Sequence, residues 1–207
     1  MTFTDGQMKR ALTQIVEADS KFAPIVSANP NCPIGRAAKK SSHFESLVES
    51  VISQQLAVRA ADTIHARLVT LAGGKINPKS IAKLNEIDLR SAGLSGAKAK
   101  TIQGLSSAAL SGEVLIDDLH LIEDDLLEKQ LISLWGIGPW TVDMFMIFQL
   151  GRTDIWPTGD LGVRRGWEKI HKLKEDIEPK KLLIRGEKFR PHRSIVAWYC
   201  WRALENK

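Results

Sequence analysis

The sequence predicts an all-α protein. Apolar residues recur at i, i+3, i+4 and i+7 through most of the chain, strand-like alternation is nearly absent, and Gly, Pro, Asn or Ser bounds the periodic stretches. Asp5 to Ala18 reads as the first helix. Ala23 to Lys40, broken by Pro24, Pro30, Pro33 and Gly35, reads as an irregular crossing that joins two lobes. Phe44, Leu47, Val48, Val51 and Ile52 then mark one buried face of a helix, with Ser41 or Ser42 as its N-cap. Further helices are expected over Ala57 to Leu71, ended by Gly73-Gly74, and over Ser80 to Leu84, Ala97 to Leu110 and Asp124 to Trp135. Gly136-Ile-Gly-Pro-Trp140 interrupts, and Thr141 to Leu150 resumes with Met144, Phe145, Ile147 and Phe148 in register, giving helix, tight hairpin, helix. Gly151 to Gly159 reads as a loop, Thr158 or Asp160 starts a helix toward Ile170, and Arg193 to Leu204 is the last helix, through Ile195, Trp198, Tyr199 and Arg202. Ala92-Gly-Leu-Ser-Gly-Ala-Lys98 faintly echoes the later hairpin but is not read as a repeat.

A chain of 207 residues can fold as one domain or as two closely packed lobes without staples. With 43% apolar and 26% charged residues it is neither disordered, nor collagenous, nor a disulfide scaffold. Cys32 and Cys200 lie near opposite ends, which excludes a disulfide framework and any four-cysteine zinc or iron-sulfur site within the chain and points to a reducing compartment. The opening MTFTDGQMKR lacks a signal-peptide pattern, and no apolar run approaches the roughly 18 residues of a membrane span. A net charge of +5 permits a nucleic-acid partner. Acidic residues gather between Glu113 and Glu128, while Lys98/Lys100, Arg164/Arg165, Lys172/Lys174, Lys180/Lys181 and Lys188 to Arg193 favour one positive face.

Two local features carry chemistry. Gly136 and Gly138 precede a helix with Pro139 in its first turn, so the hairpin is either an anion site of phosphate size or a plain tight turn. It is not a dinucleotide fingerprint, because no strand precedes it and Thr141 stands where the third Gly belongs. Beyond Trp140, Asp154-Ile-Trp-Pro-Thr-Gly-Asp160 brings a carboxylate to a helix start, where the dipole favours negative charge. Asp160 is there either as a reactive group or as an N-cap only. The five histidines form no HxxxH pair, in keeping with metal-free chemistry.

Leu134-Trp-Gly-Ile-Gly-Pro-Trp-Thr-Val-Asp-Met144 followed by Asp154-Ile-Trp-Pro-Thr-Gly-Asp-Leu-Gly-Val-Arg-Arg-Gly166 resembles the helix-hairpin-helix/GPD superfamily of DNA glycosylases, in its DNA-3-methyladenine glycosylase II branch. Val51-Ile-Ser-Gln-Gln-Leu-Ala-Val-Arg-Ala-Ala61, Ala92 to Lys100 and Arg190-Pro-His-Arg-Ser-Ile-Val-Ala-Trp-Tyr-Cys-Trp-Arg202 are similar to other blocks of that family in the same order, so the likeness spans roughly residues 44 to 203. It implies a two-lobed helical fold in compact form, without the extra N-terminal β-rich domain of some members. Residues 1–43 plus about 156–207 would make one lobe and about 44–155 the other, with the helix-hairpin-helix at about 124–150 and the substrate cleft between the lobes.

The resemblance also assigns roles. Asp160 matches the catalytic carboxylate, and Gly136, Ile137, Gly138 and Thr141 match the hairpin that grips a phosphate of the damaged strand through a structural sodium or potassium ion, no other cofactor being expected. Lys98, Lys100, Arg164 and Arg165 are either further backbone contacts or solvated charges. The turn of Ser53-Gln54-Gln55-Leu56 supplies the side chain that fills the gap left by the flipped base, Gln55 ahead of Gln54 or Leu56. Trp140 is expected to stack on an electron-poor base, with Phe44, Met144 and Trp156 lining the pocket, although Trp156 is equally suited to packing under the hairpin. Trp135, Trp198 and Trp201 are assigned to the core. Bifunctional members carry a Schiff-base Lys where this chain has Trp140, so the resemblance implies a monofunctional enzyme.

The implied activity is hydrolytic removal of alkylated bases from duplex DNA, chiefly 3-methyladenine, with 7-methylguanine and etheno-adenine as further substrates, by a monomer with no membrane association. It would work at the nucleoid in the cytoplasm of a bacterium or in the nucleus of a eukaryote. The alternatives are a related glycosylase for 1-methyladenine, 3-methylcytosine, hypoxanthine or uracil, and a non-catalytic DNA-binding protein that keeps the hairpin.

Overall fold

The computed structural model describes residues 3–36 and 41–205, and among these the regular structure is entirely helical, with no strand, as the periodicity predicts. The α-helices are α1 (Asp5–Ala18), α2 (Ala23–Ala28), α3 (His43–Ser53), α4 (Val58–Leu71), α5 (Pro78–Ile81), α6 (Glu86–Ser91), α7 (Gly96–Ser111), α8 (Asp124–Ile132), α9 (Pro139–Phe148), α10 (Leu161–His171), α11 (Pro179–Gly186) and α12 (Arg193–Glu205). Short 3-10 segments occupy Ser20–Phe22, Ile116–Leu121 and Glu187–Phe189.

Local chemistry sets the helix ends. Thr4 and Gln7 form a capping box on α1, and Ser42 rather than Ser41 caps α3 by accepting from the Glu45 amide. The crossing expected from Ala23 onward contains α2, because Pro24 lies in the first turn, where a missing amide hydrogen does no harm. Residues 37–40 of that crossing lie outside the described residues. The helix expected to reach Trp135 ends at Ile132, since the chain tightens there and the Leu134 amide donates to Leu131 O at 3.1 Å. Its successor starts earlier than expected, at Pro139.

The chain divides into two compact units, Met1–Ala38 with Met146–Lys207, and Lys39–Phe145. The division falls inside α9, some ten residues before the expected boundary near 155. Hydrogen bonds explain the shift. The Arg152 amide donates to Met146 O at 2.9 Å, the Ser194 amide to Thr153 O at 2.9 Å, and the Ile155 amide to the Ser194 hydroxyl at 2.8 Å, tying 146–155 to the C-terminal helix.

In the unit that holds both termini, α10 packs on α12 so closely that a Cβ at Gly166 would lie 1.9 Å from the Cys200 carbonyl oxygen. Phe22, Trp167 and Phe189 meet edge-on or tilted, and His171 stacks on Trp167 with centroids 4.0 Å apart. His171 Nε2 and Lys188 Nζ lie 3.0 and 2.9 Å from the same Asp19 oxygen. Burial alone would raise the Asp19 carboxyl, but these partners and the Lys21 amide outweigh it and hold the pKa at about 2. Arg193 donates through Nε and Nη2 to both oxygens of Asp154, at 2.8 and 3.0 Å. Cys32 and Cys200 are fully buried; burial pushes the Cys32 thiol up to about 12 and raises that of Cys200 as well.

In the other unit α3 is the central helix, with Phe44, Leu47, Val48, Val51 and Ile52 buried against α4 and α7. Burying a stripe of this kind stabilises by about 1.5–3 kcal/mol per large side chain before entropy is subtracted. No helix among the described residues is long and apolar enough to cross a membrane.

Candidate active site

Between α8 and α9 the chain reverses at Gly136, whose φ of +81° lies in the left-handed region. Any side chain there is excluded twice, since a Cβ would also sit 2.0 Å from the Thr101 hydroxyl. Ile137 is buried and its amide donates to Leu134 O at 3.1 Å, while Gly138 O accepts from the amides of Thr141 and Val142 to open α9. Gly136 is exposed. Thr141, expected to touch DNA, is instead 1% exposed, and its hydroxyl accepts from Gln54 Nε2 at 2.8 Å.

The Gln54–Leu56 turn follows the end of α3. Gln54 also donates to Gly136 O at 3.1 Å, so its amide is committed inside the unit and is not available to enter DNA. Gln55 is exposed at the apex with φ +56°, a conformation that costs a residue with a Cβ about 1 kcal/mol. Leu56 is 40% exposed beside it. Lys98 departs from the expected backbone contact: its ammonium donates to Ile52 O at 2.8 Å and Gln54 O at 2.6 Å, and burial lowers its pKa.

Asp160 is the N-cap of α10, with its Oδ1 accepting from the Val163 amide at 2.7 Å. The same oxygen accepts from the Trp201 indole Nε1 at 2.9 Å. A pure cap needs only the first bond, so the second, from a side chain of α12, fixes the carboxylate beyond what the helix requires. Gly162 makes room for it, because a Cβ there would lie 2.8 Å from the Trp201 ring. Trp201 in turn stacks on Phe148 with centroids 5.5 Å apart. Neither Trp201 nor Gly162 was picked out by the sequence reading, in which Trp201 is a core residue.

The remaining assignments sort as follows. Trp140 and Met144, one turn apart on α9, are half-buried, and Phe44 is buried at 1% exposure. Trp156 is corrected from pocket wall to core: it is 8% exposed, donates to Leu182 O at 3.0 Å, meets Trp167 edge-on and forbids a side chain at Gly186. Trp135 is corrected in the opposite sense, being 55% exposed with the Lys100 ammonium 4.4 Å above its ring. Trp198 is half-buried under the Arg202 guanidinium rather than enclosed. Arg164 is half-buried, with a buried Nε that has no hydrogen-bond partner, whereas Arg165 pairs with Glu168 and Asp176.

The helix, glycine hairpin and helix, with the carboxylate that caps the next helix, lie within a stretch that matches a class of DNA repair proteins. The chain belongs to the HhH-GPD superfamily of base excision DNA repair proteins, whose family model matches residues 48–191. It is similar to DNA-3-methyladenine glycosylase 1 of Schizosaccharomyces pombe, 29% identical over 98% of this chain and 93% of that protein. The structure of a 3-methyladenine DNA glycosylase of that organism in complex with abasic DNA superposes with a TM-score of 0.85 at 29% identity, covering 93% of this chain and 95% of that one. A DNA-3-methyladenine glycosidase from Bacillus halodurans gives 0.78 at 32% identity over 95% of this chain and 89% of that one.

Proposed function

We propose that this protein is a monofunctional DNA glycosylase of base excision repair that removes alkylated purines, chiefly 3-methyladenine, from duplex DNA and leaves an abasic site. The observation that carries this reading is Asp160, a carboxylate held by two donors at a helix N-terminus within the family's framework. The relatives named for 3-methyladenine support the substrate class. 7-Methylguanine carries the same positive charge and would be released in the same way, whereas etheno-adenine is neutral and its release would also need a proton donor to the leaving base.

A base inside a duplex is out of reach, so the nucleotide must be flipped out at a cost of a few kcal/mol. In this reading the Gly136–Gly138 hairpin holds a backbone phosphate and Gln55 fills the vacated stack. The hairpin from Leu134 to Trp140 has no carboxylate, so a cation there would be held by neutral carbonyl oxygens, a donor set that suits a sodium or potassium ion. Lys100 and Arg164 would add contacts to the backbone. Trp140 offers a π face to the cationic alkylated base, worth about 0.5–2 kcal/mol.

Alkylation at N3 or N7 leaves the purine positively charged. When the C1′–N9 bond breaks, its electron pair neutralises the base, and no protein acid is needed to protonate the leaving group. Positive charge develops on the sugar, where the Asp160 carboxylate stabilises it. A water then adds to C1′ and passes its proton to solvent, restoring a neutral sugar. A tryptophan at position 140 has no amine to form an imine, so the strand is left intact.

The test is base release from methylated duplex DNA by wild type and by Asp160→Asn, with strand breaks scored before and after alkali. Free methylpurines from the wild type only, with breaks after alkali only, are expected. Release by Asp160→Asn at the wild-type rate would remove the carboxylate from the mechanism.

A further inference from the structure

The Gln54–Leu56 turn is gripped by two hairpins that resemble one another. The α6–α7 connection shares two features with the α8–α9 hairpin: Gly93 and Gly136 both take positive φ, +108° and +81°, and the next residues, Leu94 and Ile137, are each 4% exposed. Lys98 and Thr141 stand five residues after these glycines. Both reach the same turn, Lys98 through two backbone carbonyls and Thr141 through the Gln54 side chain.

The bonding has a physical logic. A helix leaves its last carbonyls without intrahelical partners, and α3 ends where Gln55 turns left-handed. The Leu56 amide goes to Ser53 O, so Ile52 O would be orphaned without the Lys98 ammonium. A cation is the favoured partner at the negative end of a helix dipole. The Gln54 amide meanwhile links that turn to Gly136 O, inside the hairpin assigned to phosphate.

We infer that Lys98 and Gln54 are positioning residues that lock the Gln55 apex in its left-handed conformation and tie it to the Gly136 hairpin, so that gripping the backbone and filling the vacated stack are done by one rigid piece. This rests on the reading of Gln55 as the wedge. Lys98 therefore contributes to excision through the turn rather than as a phosphate contact.

A double-mutant cycle tests this by single-turnover release of 3-methyladenine from duplex DNA at saturating enzyme. Lys98→Met keeps the alkyl stem and removes the ammonium; Gln55→Ala removes the wedge. Lys98→Met is expected to slow release about tenfold or more, the size that loss of a charged hydrogen bond gives, and Gln55→Ala by at least as much. The double variant is expected to be no slower than Gln55→Ala, and Lys98→Arg is expected to recover most of the rate, since a guanidinium can still donate to two carbonyls. A substitution that acts independently of the wedge would multiply its effect with Gln55→Ala, and that result would overturn the inference, as would a wild-type rate for Lys98→Met. Gln54→Leu, taken through the same cycle, decides the matter if Lys98→Met does not fold. A wild-type rate for Gln55→Ala would instead refute the wedge reading itself.

Discussion

Trp201→Phe isolates a single hydrogen bond at the proposed reaction centre. The substitution keeps a six-membered ring over Phe148, where the centroids lie 5.5 Å apart, and deletes only the Nε1–H that reaches Asp160 Oδ1 at 2.9 Å. A hydrogen bond to a charged acceptor contributes about 1.5–3 kcal/mol. If that is its share in holding the carboxylate for the transition state, excision slows by about 10- to 150-fold at 1.36 kcal/mol per decade. The Val163 amide, at 2.7 Å, still caps α10, so the helix should remain and thermal stability should fall only modestly. Single-turnover release of 3-methyladenine measures the first quantity, and affinity for abasic-site DNA serves as the control. A wild-type release rate would refute the bracing role of Trp201. Equal losses in release and in abasic-site affinity would show that the indole holds the fold rather than the carboxylate.

Further outcomes follow from individual contacts. Gly136→Ala must leave a backbone φ of +81° and push Thr101 aside, so affinity for all DNA sequences should fall alike by tenfold or more in gel-shift titration, about the cost of a strained left-handed residue; sequence-dependent weakening would contradict a backbone contact. Gly166→Ala drives a methyl into the Cys200 carbonyl and should destabilise by about 2–3 kcal/mol, read as a lower urea midpoint at unchanged slope. Asp19, held at about 2 against 3.8, contributes about 2 kcal/mol of stability that is fully present above pH 4 and lost as the pH falls toward 2. Asp19→Asn should therefore separate from wild type in urea midpoint at pH 7 and approach it as the pH falls through 2, and a constant separation would refute the ion-pair account.

What could be read from sequence was what is decided over a few neighbouring residues. The boundaries of α1 and the start of α12 follow from caps and periodicity, and Asp160 from its place before a helix. α6 escaped because Leu89 is its only buried residue, too little for a stripe, and α11 because it opens on Pro179, which reads as a break. The residues that organise the site around these landmarks were not legible for a different reason. Trp201 meets Asp160 across 41 residues, and Gln54 meets Thr141 across 87. A tryptophan at a core-facing helical position and a lysine in a basic sequence give no local sign that one braces a carboxylate and the other finishes a helix.

The two cysteines give the molecule a form of chemical immunity. Nucleophiles attack methylating agents, and the sulfur nucleophile of a protein is the thiolate rather than the thiol. Cys32 and Cys200 are sealed from solvent, and burial keeps both protonated, Cys32 up to about 12. In the proposed role the protein meets the same methylating electrophiles as the DNA around it, and it presents them with no sulfur anion to modify.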